Sequence, residues 1–247
     1  MSHDEEKFGL GMPIATTTDS SATGAPVALL PIGSFEQHGP YLPLVTDTLI
    51  ATVIAESISL QHNTFQLPVV AFGCSHEHAG FPGTVSVSSV TLAKIVNDVA
   101  DSLASQGILG LIVVNSHGGN YVLSNVVQEV NARGQLRVGL FPSREDWTEA
   151  REAAGITSKS HDDMHAGELE TSILLAAHPS YVHDGWQTAD HTASDRRHIT
   201  AVGISAYTDS GVIGYPSQGS AEKGRAVIEH LGKAAGDLIT LLAEPGA

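Results

Sequence analysis

The residues best suited to chemistry in this chain lie in the segment GSFEQHGP, residues 33–40, and at Asp47 shortly after it. The segment directly follows the apolar run 27–32, which predicts a buried strand. Glu36 and His38 are two positions apart, so their side chains point to the same side of an extended backbone. With Asp47 they supply ligands for one metal ion, or for two ions that share a ligand. A polar loop whose glutamate and histidine face solvent is the alternative.

A second candidate site is the segment NSHGGN, residues 115–120, which follows another apolar run. Its histidine, His117, would stand at the end of a strand, and the neighbouring Gly118 and Gly119 permit a ligand to approach the backbone closely. The helix that follows offers amide donors to an anion or an oxyanion. A purely structural turn is the alternative.

Histidines and carboxylates recur in two further segments. In HEH, residues 76–78, we expect His76 and His78 to contact substrate or to face water rather than to bind metal. Further along the chain, His165 precedes a predicted helix that carries Glu170, so both side chains could face one cavity. Glu170 would then be a ligand and His165 a proton shuttle near neutral pH. The alternative for Glu170 is a carboxylate in the first helical turn, stabilised by the helix dipole.

Strands and helices alternate along the chain, which predicts an α/β fold with a mostly parallel sheet and helices on both faces. The predicted strands are residues 27–32, 67–72, 108–114 and 137–141, and the predicted helices end near residues 60, 106, 132, 177 and 242. The polar segments follow the carboxyl ends of strands, where open α/β sheets bind ligands. Residues 1–24 are predicted to be an irregular lead-in, and residues 25–247 a single domain.

Composition restricts the partners and the compartment. The net charge of −15, from 12 basic and 27 acidic residues, argues against nucleic acid and anionic membranes, which require a basic surface. The single cysteine, Cys74, excludes a disulfide within the chain and fits a reducing compartment. The amino terminus lacks the order of a signal peptide, and no apolar run approaches the roughly 18 residues of a membrane span. We therefore expect a cytoplasmic protein.

Several blocks of residues occur in an order that resembles the creatininase (creatinine amidohydrolase) family. They are Glu36–Pro40 with Asp47, Phe81–Thr84, Asn115–Asn120, His165–Gly167 with Glu170–Ser172, and Gly211–Pro216. The resemblance implies a three-layer α/β/α sandwich that assembles into a homo-oligomer, with hexamers among the known forms. It also implies two divalent metal ions, zinc or manganese, and hydrolysis of an amide-type C–N bond in a small molecule.

The resemblance further implies a role for individual residues. One metal ion would be bound by Glu36 and His117, the other by His38, and both by Asp47. His165 matches the acid and base histidine of the family.

The chain departs from the creatinine-hydrolysing members at one ligand, because it has Gly119 where they carry a metal-binding glutamate. We expect Glu170 to replace that glutamate. Those members also close aromatic side chains over the creatinine ring, whereas this chain offers Trp147 and has His161 where a tryptophan is expected. The candidates for substrate contact are His76, His78, Gly118, Gly119, Trp147 and His161.

The sequence therefore predicts a metal-dependent amidohydrolase in which two cations lower the pKa of water and polarise the substrate carbonyl. Three substrate types fit the family: a cyclic amide such as creatinine, a formamide on a pyrimidine nucleotide, and a peptide bond in the mycofactocin precursor. Arg196 and Arg197 would favour a phosphorylated substrate, unless they are ordinary surface residues. A metal-binding protein without catalysis, and a metal-dependent isomerase or lyase acting on a sugar, are the alternatives from other classes.

Overall fold

A sheet of four parallel strands lies at the centre of residues 12–244, the part of the chain that this computed structural model describes. The strands are Val27–Ile32 (β1), Thr64–Gln66 (β2), Gly110–Asn115 (β3) and Arg137–Phe141 (β4). Their spatial order is β2-β1-β3-β4, and β1 pairs with β3 along its whole length. The central strands β1 and β3 are continuous apolar runs because helices cover both of their faces.

Eight α-helices accompany the sheet within the described residues. They are Thr17–Thr23 (α1), Thr46–Gln61 (α2), Ser89–Ser105 (α3), Val122–Arg133 (α4), Arg144–Ala153 (α5), Glu168–Ala177 (α6), Ile199–Val202 (α7) and Ala221–Ala243 (α8). None of them combines the length and the apolar character needed to cross a bilayer.

Alternate residues of the central strands feed two separate hydrophobic cores. Val27 and Leu29 of β1 pack on one face against apolar residues of α2, α5, α6 and α8. Ala28 and Leu30 point to the other face and pack against α3 and α4. This alternation follows from the period of two in a strand. The predicted three-layer α/β/α sandwich with a parallel central sheet is confirmed.

The predicted strand at residues 67–72 is wrong in its bounds. The continuous ladder of hydrogen bonds to β1 covers residues 64–66. Beyond it, two isolated backbone hydrogen bonds join residues 67–72 to β1: Leu67 N donates to Leu29 O and Val70 N donates to Pro31 O, each at 2.9 Å. Pro68 has no backbone N–H, so it cannot donate to a continuous ladder.

The amino-terminal lead-in is not irregular throughout, since α1 occupies 17–23. Thr16 caps this helix in a reciprocal capping box with Asp19, which satisfies amides that the first turn leaves free. Residues 1–11 lie outside the described residues, and the division of the chain at residue 25 stays a prediction.

Asp163 fixes the start of α6, the helix that carries Glu170. Its carboxylate accepts hydrogen bonds from the amides of Glu168, at 2.6 Å, and Leu169, at 3.2 Å. The buried guanidinium of Arg151 donates to the same carboxylate at 3.1 Å. The side chain therefore caps a helix and neutralises a buried cation at once.

We expect Asp163→Ala to lower the free energy of unfolding by about 3 kcal/mol, because it leaves Arg151 without its buried partner and the two α6 amides without an acceptor. Urea unfolding followed by circular dichroism measures this change. The exposed Asp184 is the control, and Asp184→Ala should change the free energy by less than about 0.5 kcal/mol. Equal stability of the two variants would contradict the prediction.

Candidate metal centre

The structure brings the five predicted metal ligands together at the carboxyl edge of the sheet. Their donor atoms form two groups, each within 4.8 Å, that have one member in common: Glu36, Asp47 and His117, and His38, Asp47 and Glu170. The residues come from the loop after β1, the first turn of α2, the loop after β3 and the first turn of α6. Loops that follow parallel strands meet at the same edge, which explains the convergence.

The two oxygens of Asp47 face different histidines. Oδ2 lies 3.3 Å from His117 Nδ1, whereas Oδ1 lies 3.6 Å from His38 Nε2. His117 Nδ1 is also 3.2 Å from Glu36 Oε1, and His38 Nε2 is 3.8 Å from Glu170 Oε2. A carboxylate with one oxygen directed to each group is suited to bridging two cations.

Hydrogen bonds on the far side of each imidazole orient the nitrogen that faces the carboxylates. His117 Nε2 donates to the carbonyl of Cys74 at 3.0 Å, and His38 Nδ1 donates to the carbonyl of Glu36 at 3.1 Å. With those tautomers, His117 Nδ1 and His38 Nε2 direct lone pairs into the site. Metal-binding histidines in proteins are held in this way.

Three buried donor atoms of the site have no hydrogen-bond partner among the described residues: both carboxylate oxygens of Glu36 and Nε2 of His38. Both side chains are fully buried. A buried carboxylate left unsatisfied is costly, and a bound cation would compensate for its charge. Nitrogen and carboxylate oxygen donors suit zinc and manganese, and the residues present therefore fit the predicted metal ions.

The loops hold Asp47 in place through its neighbours. Ser34 Oγ donates to Asp47 Oδ2 at 2.5 Å, and Ser116 Oγ donates to the carbonyl of Asp47 at 2.6 Å. A Cβ atom at Gly33 would lie 2.4 Å from the amide nitrogen of Thr48, so only glycine lets the end of β1 approach α2 this closely.

The two metal-facing histidines bind protons strongly when no metal competes. Burial acts to lower the pKa of His38, but the carboxylates of Asp47 and Glu170 outweigh it and raise this pKa to about 9. Burial likewise acts on His117, and the carboxylates of Glu36 and Asp47 raise its pKa well above the usual value. Burial raises the pKa of Glu170 to about 7 in spite of the nearby His38.

His165 lies beside the two ligand groups and is held by Gln37. Its Nε2 donates to the carbonyl of Gln37 at 2.7 Å, which leaves Nδ1 as an acceptor 3.9 Å from Glu36 Oε1. Burial, together with the adjacent His38 and His78, keeps the pKa of His165 well below its usual value. The ring is therefore neutral at pH 7, the state in which it can accept a proton, and its role as a proton shuttle stays a prediction.

Gln37 orients a second imidazole in the site, that of His78. Its amide donates to His78 Nδ1 at 3.0 Å and to the carbonyl of Gly211 at 3.2 Å, while its Oε1 accepts from Gly39 N. His78 Nε2 then lies 3.3 Å from Glu36 Oε1. Sequence reasoning did not assign a role to Gln37, although the residue stands between two predicted ligands.

The predicted substrate-contact residues divide between three places. Gly118, Gly119 and His78 line a cavity of about 150 Å³, the metal cavity, together with four of the five predicted ligands: Glu36, Asp47, His117 and Glu170. Trp147 lines a neighbouring cavity. His76 is exposed and bonds Ser86 at 3.0 Å, and His161 is exposed with its Nε2 donating to the carbonyl of Ser194 at 2.7 Å. The structure therefore places neither His76 nor His161 against the metal ligands.

Two larger cavities border the metal cavity on different sides. On one side it shares Ser116, Met164 and Glu170 with the cavity of about 300 Å³ that contains Trp147. On the other it shares residues that include Glu77 and Tyr121 with an open groove of about 570 Å³. The metal cavity thus lies between two spaces that an extended molecule could occupy.

Glu77 is a site residue that sequence reasoning did not identify. A Cβ atom at Gly119 would lie 2.1 Å from Glu77 Oε1, 2.4 Å from His117 Nε2 and 2.6 Å from the carbonyl of Cys74. Glu77 thus occupies the space that a side chain at residue 119 would need, and the glutamate expected there in creatinine-hydrolysing members has no room. The position of Glu77 between two histidines was the available signal.

We expect Gly119→Ala to weaken metal binding by at least tenfold, because the new methyl group displaces His117 from its bond to the carbonyl of Cys74. Competition with a chromogenic chelator measures the affinity. Gly118→Ala is the matched control, since no atom lies within 4 Å of a Cβ at that position. Unchanged affinity in both variants would contradict the prediction.

The two arginines that suggested a phosphorylated substrate are engaged by their own loop. Arg196 donates to Met164 Sδ at 2.9 Å and to the carbonyl of Ala193 at 3.0 Å. Arg197 pairs with Asp195 at 2.9 Å on the exposed surface. Neither guanidinium is free to bind a phosphate without giving up these contacts.

Comparison with known proteins establishes the family to which this chain belongs. Residues 15–239 match the family model described as creatinine amidohydrolase. The chain is 32% identical to the mycofactocin precursor peptide peptidase of Mycolicibacterium smegmatis, with 96% of this chain and 93% of the relative covered. It is 26% identical to the creatinine amidohydrolase of Pseudomonas putida, with 84% and 86% covered.

A solved structure described as a manganese creatininase superposes with a TM-score of 0.79 and 23% identity, covering 94% of this chain and 98% of that one. At that identity the superposition establishes the fold alone. The family model matches most of the chain, and the chain therefore belongs to the creatininase family.

Proposed function

We propose that this creatininase-family hydrolase is a metal-dependent amidohydrolase that cleaves a peptide-type C–N bond. The observation that carries the proposal is the pair of ligand groups with Asp47 in common. Glu36 and His38 support the proposal, because their buried atoms lack a hydrogen-bond partner and burying such atoms without a bound cation costs free energy. A homo-oligomer, a hexamer included, and a cytoplasmic location stay predictions from the sequence.

Two divalent cations, zinc or manganese, would supply polarisation of the substrate carbonyl and a lower pKa for the attacking water. Glu36, Asp47 and His117 would hold one, and His38, Asp47 and Glu170 the other. Glu170 would thereby replace the glutamate for which residue 119 has no room.

The chain's own residues would move the proton. The oxygen of water forms the new bond to the carbonyl carbon, and the C–N bond breaks. Nδ1 of His165 accepts a proton from that water and passes it to the leaving nitrogen, while Gln37 fixes the ring through Nε2. Burial keeps the pKa of His165 low, so the ring gives the proton up readily.

A peptide is the substrate type that these observations favour. The metal cavity opens into spaces on two sides, which suits a chain that continues past the scissile bond in both directions. Creatinine is disfavoured because His161, where a tryptophan that closes over the ring is expected, is exposed and bonded to Ser194, and a phosphorylated formamide is disfavoured by the engaged Arg196 and Arg197. The relative that is 32% identical over nearly the whole chain is named as a peptidase.

The test is a hydrolysis screen of the protein loaded with zinc or manganese and of the same protein after chelation. The substrates are creatinine, a formylamino pyrimidine nucleotide and a synthetic mycofactocin precursor peptide. We expect cleavage of the peptide by the metal-loaded protein alone. Cleavage of creatinine or of the formamide in preference would overturn the substrate, and equal turnover after chelation would overturn the metal dependence.

Metal binding at pH 7 should release between about two and three protons per protein, because His38, with a pKa of about 9, His117, with a raised pKa, and Glu170, with a pKa of about 7, must lose their protons to become ligands. The affinity should therefore rise as the pH rises toward 9. Calorimetry in two buffers of different ionisation enthalpy counts the protons. Binding without proton release would contradict the assignment of these ligands.

A further inference from the structure

Glu77 carries a largely buried carboxylate that the proposed reaction does not use. Its side chain is 17% exposed, and its Oε1 lies 3.8 Å from His117 Nε2. That nitrogen donates to the carbonyl of Cys74, and the Glu77 carboxylate accepts no hydrogen bond from another residue in 12–244. A carboxylate with open acceptor positions, one imidazole ring away from the ligand groups, is suited to bind a donor on another molecule.

Glu77 stands where the metal cavity opens into the groove of about 570 Å³. It lines both spaces, together with Gly119, Tyr121 and Thr200. A molecule that extends from the metal ligands into the groove would therefore pass this carboxylate.

The remainder of the groove is neutral and partly apolar. Tyr121 and Val202 line it with side chains that are 67% and 53% exposed, and Val122 also contributes to its wall. Among the described residues that line the groove, Glu77 is the only carboxylate, and there is no lysine or arginine. Exposed apolar side chains grouped in one groove mark a binding surface. The groove therefore suits a neutral chain that offers Glu77 a hydrogen-bond donor.

His165 indicates which side of the scissile bond faces the groove. In the proposed reaction it delivers a proton to the leaving nitrogen, and its neighbour Met164 lines the cavity on the side opposite the groove. The leaving nitrogen would then point away from the groove, and the acyl side of the substrate would enter it. In a peptide, the first donor on that side is the N–H of the residue that supplies the scissile carbonyl.

We propose that Glu77 is a specificity residue that accepts a hydrogen bond from this N–H, with the acyl chain of the peptide continuing past it into the groove. The inference rests on the proposed peptide function and deepens it. A formamide carries only hydrogen on its carbonyl carbon, so it has no group to place beside Glu77. An amino terminus would end at Glu77 and leave the groove unfilled, which favours the amide N–H of a continuing chain.

The first experiment measures binding without turnover. Calorimetry on the metal-loaded protein compares N-acetylglycine hydroxamate with N-acetylsarcosine hydroxamate, in which a methyl group replaces the N–H. The variants are Glu77→Ala and, as the matched control, Glu129→Ala, since Glu129 is exposed on α4 and lines neither the groove nor the metal cavity. We expect the N–H probe to bind at least tenfold more tightly in the wild type and the control, and this preference to vanish in Glu77→Ala. Tighter binding of glycine hydroxamate, which carries an ammonium group, would assign the contact to an amino terminus and overturn the inference.

Glu77→Gln separates recognition of the substrate from support of His117. The variant keeps the size of the side chain and an acceptor oxygen, but a neutral acceptor forms a hydrogen bond about half as strong as a charged one. We therefore expect an intermediate preference for the N–H probe and an unchanged metal content, measured on the same samples. Loss of metal, or an equal fall in affinity for both probes, would make Glu77 a support for His117 and overturn the inference.

The second experiment measures cleavage of the mycofactocin precursor peptide, with the cut located by mass spectrometry, and of an analogue methylated at the nitrogen of the residue that supplies the scissile carbonyl. We expect methylation to lower kcat/KM at least tenfold in the wild type, and Glu77→Ala to reduce only the value for the unmodified peptide. Equal values for the two peptides in the wild type, or a loss on methylation that persists in Glu77→Ala, would overturn the inference and leave the peptide function standing. A Glu77-dependent preference between the probes without any peptide cleavage would overturn the peptide function and leave the recognition of the N–H supported.

Discussion

Replacement of Asp47 by asparagine should remove both metal ions and the hydrolytic activity together. Each oxygen of Asp47 faces one of the two ligand groups, so the loss of its charge weakens both sites at once. The substituted amide keeps the size of the side chain and its place in the first turn of α2. We therefore expect a folded protein with a fall in activity of at least about 10⁴-fold, since several kcal/mol of charge stabilisation are lost.

Elemental analysis after dialysis, alongside peptide hydrolysis, tests this expectation. Glu36→Gln and His38→Gln each change only one group, so each should lower the metal content from two ions to about one. Asp184→Asn removes an exposed carboxylate and should leave both measurements unchanged. If Asp47→Asn retained two tightly bound ions, a shared ligand at this position would be wrong.

His165→Ala should reduce turnover by about 10²- to 10⁴-fold while the protein keeps its metal ions, because the change removes a proton carrier and leaves the ligand set intact. The neutral ring, with Nε2 bonded to Gln37 and Nδ1 directed toward Glu36, is oriented for that task. A substrate whose leaving group needs no proton should lose far less activity. This contrast separates proton transfer from a general disturbance of the site.

The readout for His165→Ala is kcat for a peptide and for an activated anilide, with metal content measured on the same samples. His161→Ala is the histidine control, because that side chain is exposed and bonds Ser194 away from the ligands. Loss of metal from His165→Ala would reassign the residue as a ligand. The measurement distinguishes the two roles because Glu36, His38 and His165 also place donor atoms within 4.8 Å of one another.

The sequence alone determined the layers of the fold and the residues that gather at its edge. Val27–Ile32 has the bounds predicted, because a strand buried on both faces must be a continuous apolar run. Arg137–Phe141, at the end of the strand order, also has the bounds predicted. Candidate ligands are recognisable because open α/β sheets bind ligands at the carboxyl ends of their strands, where these carboxylates and imidazoles stand. The strand predicted at 67–72 was misplaced because an apolar composition does not reveal which residues satisfy a ladder across Pro68.

Only the tertiary structure decided which of those side chains face each other and which space each one fills. That Asp47 directs one oxygen to each group depends on how β1 and β3 bring distant loops against α2. That Glu77 fills the space beside Gly119, and that Asp163 pairs with the buried Arg151, depends on contacts that only the folded chain makes. Local sequence fixes which side chains are available, whereas distance, burial and competition among partners fix which of them are left to bind a ligand.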